Sequence, residues 1–425
     1  MSRLPTGTDA VHGASRAHHA HHAVAPPIVQ TATFAFDDTA DLRRFMSGAD
    51  PDSGRTEYAR NTNPTVRAVE QKIASLDGAE DALLFASGMA AITTSLLALV
   101  KAGDHVVLFR DAYRKTRLFV AKTLARFGVE HTLVDPCDLD ALERALRPRT
   151  RLVVTELPTN PYLRCIDLPR LARTCRAARA KTLVDATFAT PMNVRPLDHG
   201  IDLVAHSATK YLAGHNDVLG GTVSGSESLV SLIRELRSEM GPVTDPHAAA
   251  LIGRGIKTLA LRVARQNDTA LAVARALEGH PEVERVYYPL LESHPDHAVA
   301  RSLLRGGGGV VSFVVRGGRE AAARAVDRFQ LATIAASLGG TETLVEPHAL
   351  LSYADLDDDA LAAAGIAPGL VRLSVGVEET ADITADVLRA LTPTVAPARA
   401  PAPAQAPSQT AAQTPAQTGT KGGAE

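Results

Sequence analysis

A mostly parallel α/β sheet followed by a smaller C-terminal α+β domain is the fold class this sequence predicts. Two observations point to it. Short apolar runs alternate with amphipathic stretches through the middle of the chain, and beyond a long helical pattern at Ala250–Leu277 strands and helices mix without that alternation. Alternation of this kind buries both faces of a parallel sheet, and its loss marks a second, differently built unit. The 425 residues leave room for roughly two or three domains and for an apolar core that needs no disulfide or metal to hold it.

The elements follow in order. His12, His18, His19, His21 and His22 crowd a segment of Ala, Gly and Ser. Such tracts can bind metal, but no cysteine accompanies the histidines, so residues 1–25 read as a disordered leader. Val106–Phe109, Arg151–Glu156, Lys181–Asp185 and Asp202–His206 are β-rich runs, and Leu168–Ala180 is helical. Thr222–Ser224, beyond Gly220-Gly221, reads as an antiparallel edge strand. Ala250–Leu277 reads as one long helix able to bridge two domains. Val283–Tyr288, Val310–Val315 and Val371–Val375 are strands, with helices near Glu320–Phe329 and after a capping Thr380. Gly306–Gly309 precedes a strand rather than following one, so it reads as a turn and not as a dinucleotide loop. The Pro-, Ala- and Gln-rich residues 394–425 have too little apolar surface to order and read as a tail.

Charge and cysteines exclude several functions. With 45 Lys+Arg against 47 Asp+Glu, the net charge of −2 gives no electrostatic case for nucleic-acid binding. No apolar run is long enough to span a membrane, and the N-terminus lacks the apolar core of a secretory signal. Cys137, Cys165 and Cys175 are an odd count without CxxC spacing, which predicts a reducing, cytoplasmic setting and no zinc. Only 8 of the basic residues are lysines, so few amines compete for any role that needs one neutral.

Four segments carry chemistry. The apolar run at Asp202–His206 ends in Ser207-Ala208-Thr209-Lys210. Ligand sites in parallel sheets lie outside the carboxyl ends of strands, and a lysine there is a candidate Schiff-base amine, although a lone lysine after a strand is more often a solvated one. Val184-Asp185 ends another run and is followed by Ala186-Thr187. A carboxylate so placed can hold a ring nitrogen protonated, or simply cap a turn. Ser87-Gly88-Met89 opens an apolar helix, where backbone N–H groups can approach a phosphate. Tyr113 follows the strand Val106–Phe109 and can stack on a planar ring.

Together these segments resemble the cysteine and methionine metabolism family of pyridoxal-phosphate enzymes, which includes cystathionine γ-synthases, cystathionine lyases and methionine γ-lyases. The resemblance is carried in order by EYARNTNPT (57–65), FASGMAAI (85–92), DAYRKTR (111–117), TELPTNPYLRCIDL (155–168), VDATFATP (184–191), HSATKYLAGHNDVLGG (206–221), SLGGTETL (337–344) and LVRLSVGVEE (370–379). YRKTR, NPYLRCIDL and LLSYADL look most like the plant-type cystathionine γ-synthases.

The resemblance implies a fold-type-I transferase and pyridoxal 5'-phosphate as cofactor. Lys210 would carry the cofactor as a Schiff base, Asp185 would pair with its ring nitrogen, and Tyr113 would stack on the ring. Ser87, Gly88, Met89, Thr187, Ser207 and Thr209 would surround the cofactor with its phosphate, and Asn160 would lie near the ring hydroxyl. Arg372 would fork onto a substrate α-carboxylate beside Ser337. Tyr58 and Arg60 would reach the cofactor of a neighbouring subunit, making a dimer the smallest active unit and a homotetramer the usual assembly. Residues 26–62 would then form an arm to the neighbour, 63–260 the cofactor domain and 261–393 the C-terminal domain.

This chain departs from the family at Ala186, Ala336 and the order Pro347-His348, which leaves the leaving group and nucleophile open. Arg114, Lys115 and Arg117 beside Tyr113 would draw an acyl or cysteine carboxylate to the mouth, unless acidic neighbours take them. The expected reaction is γ-replacement on an O-acyl-L-homoserine by a thiol such as L-cysteine, giving cystathionine. The alternatives are γ-elimination from a γ-substituted amino acid in specialised metabolism and, least favoured, an inactive binding subunit. The partners are small amino acids and further copies of the chain.

Overall fold

The structure, a computed structural model, describes residues 3–13, 22–49 and 55–392. His18, His19, His21 and the tail 394–425 lie outside the described residues. A first sheet has seven strands: β1 (Asp81–Phe85), β2 (His105–Phe109), β3 (Glu130–Val134), β4 (Thr150–Glu156), β5 (Lys181–Asp185), β6 (Leu203–His206) and β7 (Gly221–Gly225). Their order is β1-β7-β6-β5-β4-β2-β3. The strands β3, β2, β4, β5 and β6 are parallel neighbours, and β7 runs antiparallel to both β6 and β1.

The sheet is buried on both faces because its strands are almost wholly apolar. On β2, Val106 and Leu108 join Leu83, Phe85 and Leu96 in one core, while Val107 and Phe109 join Val153, Leu171 and Cys175 in the other. That is the period-two alternation of a strand, with both sides taken. Glu70, fully buried on the helix Pro64–Asp77, accepts the Leu84 N–H at 3.0 Å and pairs with Arg237 at 2.7 Å.

A second sheet has the order β10-β11-β12-β9-β8, from β8 (Val283–Tyr287), β9 (Val310–Val315), β10 (Thr333–Ile334), β11 (Leu344–Pro347) and β12 (Leu370–Ser374). It packs Val311, Phe313 and Val315 against the helices Leu259–Leu277 and Thr380–Leu391. The described residues up to Leu391 cohere as one compact unit. The helix Leu259–Leu277 spans the expected boundary near residue 260: Leu259 and Val263 enter a core beside β1, and Val273 and Leu277 enter the core of the second sheet.

Three expectations need correction. Residues 7–12 of the expected disordered leader form a helix. Thr6 and Asp9 close a capping box, Ala10 is fully buried, and Lys72 Nζ donates to the Val11 carbonyl at 2.7 Å. β7 is antiparallel as expected but lies inside the sheet, because β1 covers it as the edge. Ala250–Leu277 is two helices, Pro246–Ile256 and Leu259–Leu277. The break follows from the Gly255 carbonyl, which accepts Arg262 Nη2 at 2.7 Å and the Thr258 N–H at 3.2 Å, so it is not available to a continuing turn.

Candidate active site

Parallel pairing places the carboxyl ends of β2, β4, β5 and β6 along one edge of the sheet, and β1 points the same way because two antiparallel steps restore its direction. The segments that leave these ends line one cavity of about 420 Å³. Its wall holds Ser87, Gly88, Met89, Tyr113, Asn160, Asp185, Thr187, Ser207, Thr209, Lys210, Ser337 and Arg372. Twelve of the fourteen sequence candidates therefore meet at one place. Tyr58 and Arg60 do not: Tyr58 is 40% exposed, with the Arg60 guanidinium 5.4 Å from its ring centre.

Lys210 Nζ donates to Ser337 Oγ at 2.6 Å. Burial, reinforced by the nearby Arg372 charge, lowers its pKa to about 8. Ser337 holds a left-handed backbone, φ +98°, a rare conformation for a residue with a side chain; there its hydroxyl meets Lys210 and its carbonyl accepts Arg372 Nη2 at 3.2 Å. Asp185 is held by Thr187, whose N–H reaches Oδ1 at 2.9 Å and whose hydroxyl bonds the same oxygen. Thr187 Oγ1 in turn accepts the Ser207 N–H at 2.7 Å, tying the ends of β5 and β6 together. Burial raises the Asp185 pKa, and His206, paired to Asp77 at 3.0 Å, opposes that shift.

The Ser87 end is shaped for a close approach. Ser87 Oγ caps the helix Gly88–Leu99 by accepting the Ala90 N–H at 3.1 Å, which leaves the N–H groups of Gly88 and Met89 without an intrahelical acceptor. A side chain on Gly221 would lie 2.1 Å from the Ser87 carbonyl, and one on Gly88 would lie 2.9 Å from Ser207 Cβ. Gly220 N–H donates to Thr209 Oγ1 at 3.0 Å, fixing that hydroxyl on the same rim. Helix-start N–H groups ringed by hydroxyls suit an anion such as phosphate.

Sequence reading missed two carboxylates. Glu156 stands opposite Asp185 in the register of β4 and β5 and accepts the Tyr113 N–H. Burial and the Asp185 charge raise its pKa well above the usual carboxylate range. Glu346 stands opposite Arg372 in the register of β11 and β12 and pairs with it. Both pairings arise from strand register, which no local motif announces; TEL and LVE were the only traces of them.

The expected cationic mouth is corrected. Arg114 forks onto Asp355 at 2.8 and 2.6 Å, and Arg117 Nε donates to the Ala112 carbonyl at 2.9 Å. Lys115 is exposed.

An amine of lowered pKa, a buried carboxylate and an anion cradle at the carboxyl edge of a parallel sheet define an enzyme of the pyridoxal-phosphate class. These residues would suit the cofactor: the Lys210 amine its aldehyde, the Asp185 carboxylate its ring nitrogen, and Ser87, Gly88, Met89 and Thr209 its phosphate. The chain belongs to the Cys/Met metabolism PLP-dependent enzyme family, which matches residues 7–392. It is 48% identical over 362 residues to cystathionine γ-synthase 1, chloroplastic, of Nicotiana tabacum, covering 85% of this chain and 66% of that protein, so it spans slightly less than two thirds of that relative. It is 41% identical over 381 residues to the L-methionine γ-lyase of Fusobacterium nucleatum subsp. polymorphum, covering 89% of this chain and 95% of that one. The crystal structure of metB from Corynebacterium glutamicum superposes with a TM-score of 0.84 at 36% identity, covering 91% of this chain and 97% of that one. The fold is therefore type I, the cofactor is pyridoxal phosphate, and the chain is an enzyme rather than an inactive binding subunit. Among the described residues no helix is long and apolar enough to cross a membrane.

Proposed function

We propose that this enzyme catalyses γ-replacement on an O-acyl-L-homoserine with a thiol such as L-cysteine, giving cystathionine. The observation that carries the reading is the meeting of Lys210, Asp185, Tyr113 and Arg372 in one cavity of a chain so similar to a cystathionine γ-synthase. Bound pyridoxal phosphate supplies the electron sink that lets carbon atoms near the substrate amine lose protons. Lys210 Nζ, largely neutral above pH 8, takes and returns the proton at Cα. Asp185 would hold the opposite charge beside the cofactor's ring nitrogen. Arg372 orients the substrate through its carboxylate, for which a planar guanidinium fork suits better than an ammonium. Tyr113, whose pKa is raised by burial and by Glu156, keeps a proton on its phenol at the cavity mouth. Tyr58 and Arg60, outside this chain's cavity, complete the phosphate site of a second copy, so the working form is a homo-oligomer, and the free cysteines Cys137, Cys165 and Cys175 favour a cytoplasmic setting for it.

One test is product analysis with O-succinyl- and O-acetyl-homoserine, with and without cysteine. Cystathionine formation that depends on cysteine is expected; 2-oxobutanoate release that cysteine fails to suppress sinks the synthase reading. A second reading, γ-elimination, is favoured by one observation. With Arg114 bound to Asp355 and Ala336 on the cavity wall, the mouth offers little to bind a second amino acid.

A further inference from the structure

Arg372 is already occupied before any substrate arrives. It is 6% exposed, and its side chain makes three bonds: Nη1 to Asn160 Oδ1 at 3.0 Å, and Nη2 to the Ser337 carbonyl and to Glu346 Oε2. Both Nη2 protons are thereby committed. A carboxylate that grips guanidinium bidentately uses Nη2 whether it takes the Nη1 or the Nε edge. One of the two present acceptors must therefore yield. The Ser337 carbonyl belongs to a backbone segment fixed by Gly339 N–H on Ser374 Oγ at 3.0 Å. Glu346 is a side chain, and its other oxygen has its own partners.

Those partners form a prepared seat. Ser352 Oγ donates to Glu346 Oε1, and His348 Nδ1 lies 2.9 Å from the same oxygen. His348 is 1% exposed, neither of its ring nitrogens has a hydrogen-bond partner, and its ring lies 5.4 Å from that of Tyr353. Burial lowers the His348 pKa, while the surrounding donors hold Glu346 down at about 2. A charged carboxylate 2.9 Å from a neutral imidazole favours the tautomer with its proton on Nδ1, which a small turn of the ring aims at Glu346 Oε1. The Pro347-His348 order puts this imidazole at the buried start of a short helix.

We propose that Glu346 is an internal counter-ion that occupies Arg372 in the empty site and yields it to the α-carboxylate of the amino-acid substrate, while Ser352 and His348 keep the displaced charge bonded. Glu346, Ser352 and His348 are positioning residues in this scheme, acting through Arg372. The scheme has an energetic consequence. Substrate binding exchanges one anion for another on Arg372 instead of neutralising a bare buried cation, which weakens the carboxylate's grip and favours product release. It rests on the reading of Arg372 as the α-carboxylate clamp.

The test compares glycine with methylamine, which shares the amine but lacks the carboxylate. Each is titrated into the pyridoxal-phosphate-loaded enzyme, and binding is followed by the cofactor's visible absorption. The ratio of the two dissociation constants isolates the carboxylate contribution. Since one charge-assisted hydrogen bond is worth roughly tenfold or more in binding, Glu346→Gln should tighten glycine about tenfold and leave methylamine unchanged. His348→Phe and Ser352→Ala should do the reverse, weakening glycine several-fold, because Glu346 then depends more on Arg372. Those two variants decide the matter if Glu346→Gln does not fold. A structural role for the cluster would instead weaken glycine in all three, and that result overturns the exchange. Arg372→Leu separates the underlying reading: if it leaves the glycine-to-methylamine ratio intact, Arg372 is not the clamp.

Discussion

The lowered pKa of Lys210 makes a quantitative prediction about the cofactor-free enzyme. An ordinary lysine titrates near 10.5, and Lys210 is lowered to about 8 by burial first and the Arg372 charge second, with Glu346 opposing. At pH 8 about half of Lys210 is then neutral, against about 0.3% of an unperturbed lysine, a difference of roughly 150-fold in reactive amine. The sign is clear: the nucleophilic form is lost as pH falls through 8 and complete well above it. Lys72 is the internal control, since burial lowers it to a similar value while its Nζ donates to the Ala10 and Val11 carbonyls, away from the site. Brief acetylation of apoenzyme across pH 6–10, followed by peptide mass spectrometry, should show Lys210 and Lys72 titrating near 8. Saturating pyridoxal phosphate should protect Lys210 and not Lys72. Arg372→Leu should move the Lys210 midpoint upward, because it removes a repelling cation and leaves the attracting Glu346. A Lys210 midpoint near 10 in wild type, or one unmoved by Arg372→Leu, would refute the electrostatic account.

Other outcomes follow from named contacts. Lys210→Ala should lose the visible absorption that pyridoxal phosphate gives the wild type, together with all turnover, as read by spectrophotometry. Mixing Tyr58→Phe/Arg60→Ala subunits with Lys210→Ala subunits should restore part of the activity, since a mixed dimer rebuilds one complete site; no recovery after verified exchange argues that each site comes from one chain. Arg237→Met should cost about 1.5–3 kcal/mol in a urea unfolding curve, because the fully buried Glu70 loses its closest guanidinium and keeps only Arg67 Nη1 at 3.3 Å and the Leu84 N–H.

The parts legible in sequence were those that one short segment carries. HSATKY and VDAT each put a strand end and its functional side chain within a few residues, so the apolar run locates the edge and the polar residue after it locates the cavity. The alternation of runs gave the parallel sheet for the same reason. Contacts set by long-range register were not legible. Glu156 meets Asp185, and Glu346 meets Arg372, only because β4 pairs with β5 and β11 with β12. β7 read as an edge because nothing near Gly220-Gly221 says that β1, well over a hundred residues earlier, covers it. The leader helix was legible in principle, as Thr6 and Asp9 stand at capping-box spacing, but its stability comes from Ala10 burial and from Lys72, sixty residues on.

The Glu156–Asp185 pair shows what register adds to the chemistry. Two carboxyl groups on adjacent strand ends resist ionising together in a buried setting, so one retains a proton. The structure distinguishes them. Asp185 receives two bonds from Thr187 and feels the His206 charge, all of which favour its anion. Glu156 is the more strongly raised, by its own burial and by Asp185. Glu156 is thus the member whose anion the site favours less, and it fixes the backbone of Tyr113 by accepting its N–H. A cation set against Asp185 deepens the division, because it stabilises the nearer anion most. The strand that bears Glu156 therefore holds the Tyr113 backbone and the strand that bears Asp185 holds the better-supported anion, a division that neither residue's local sequence specifies.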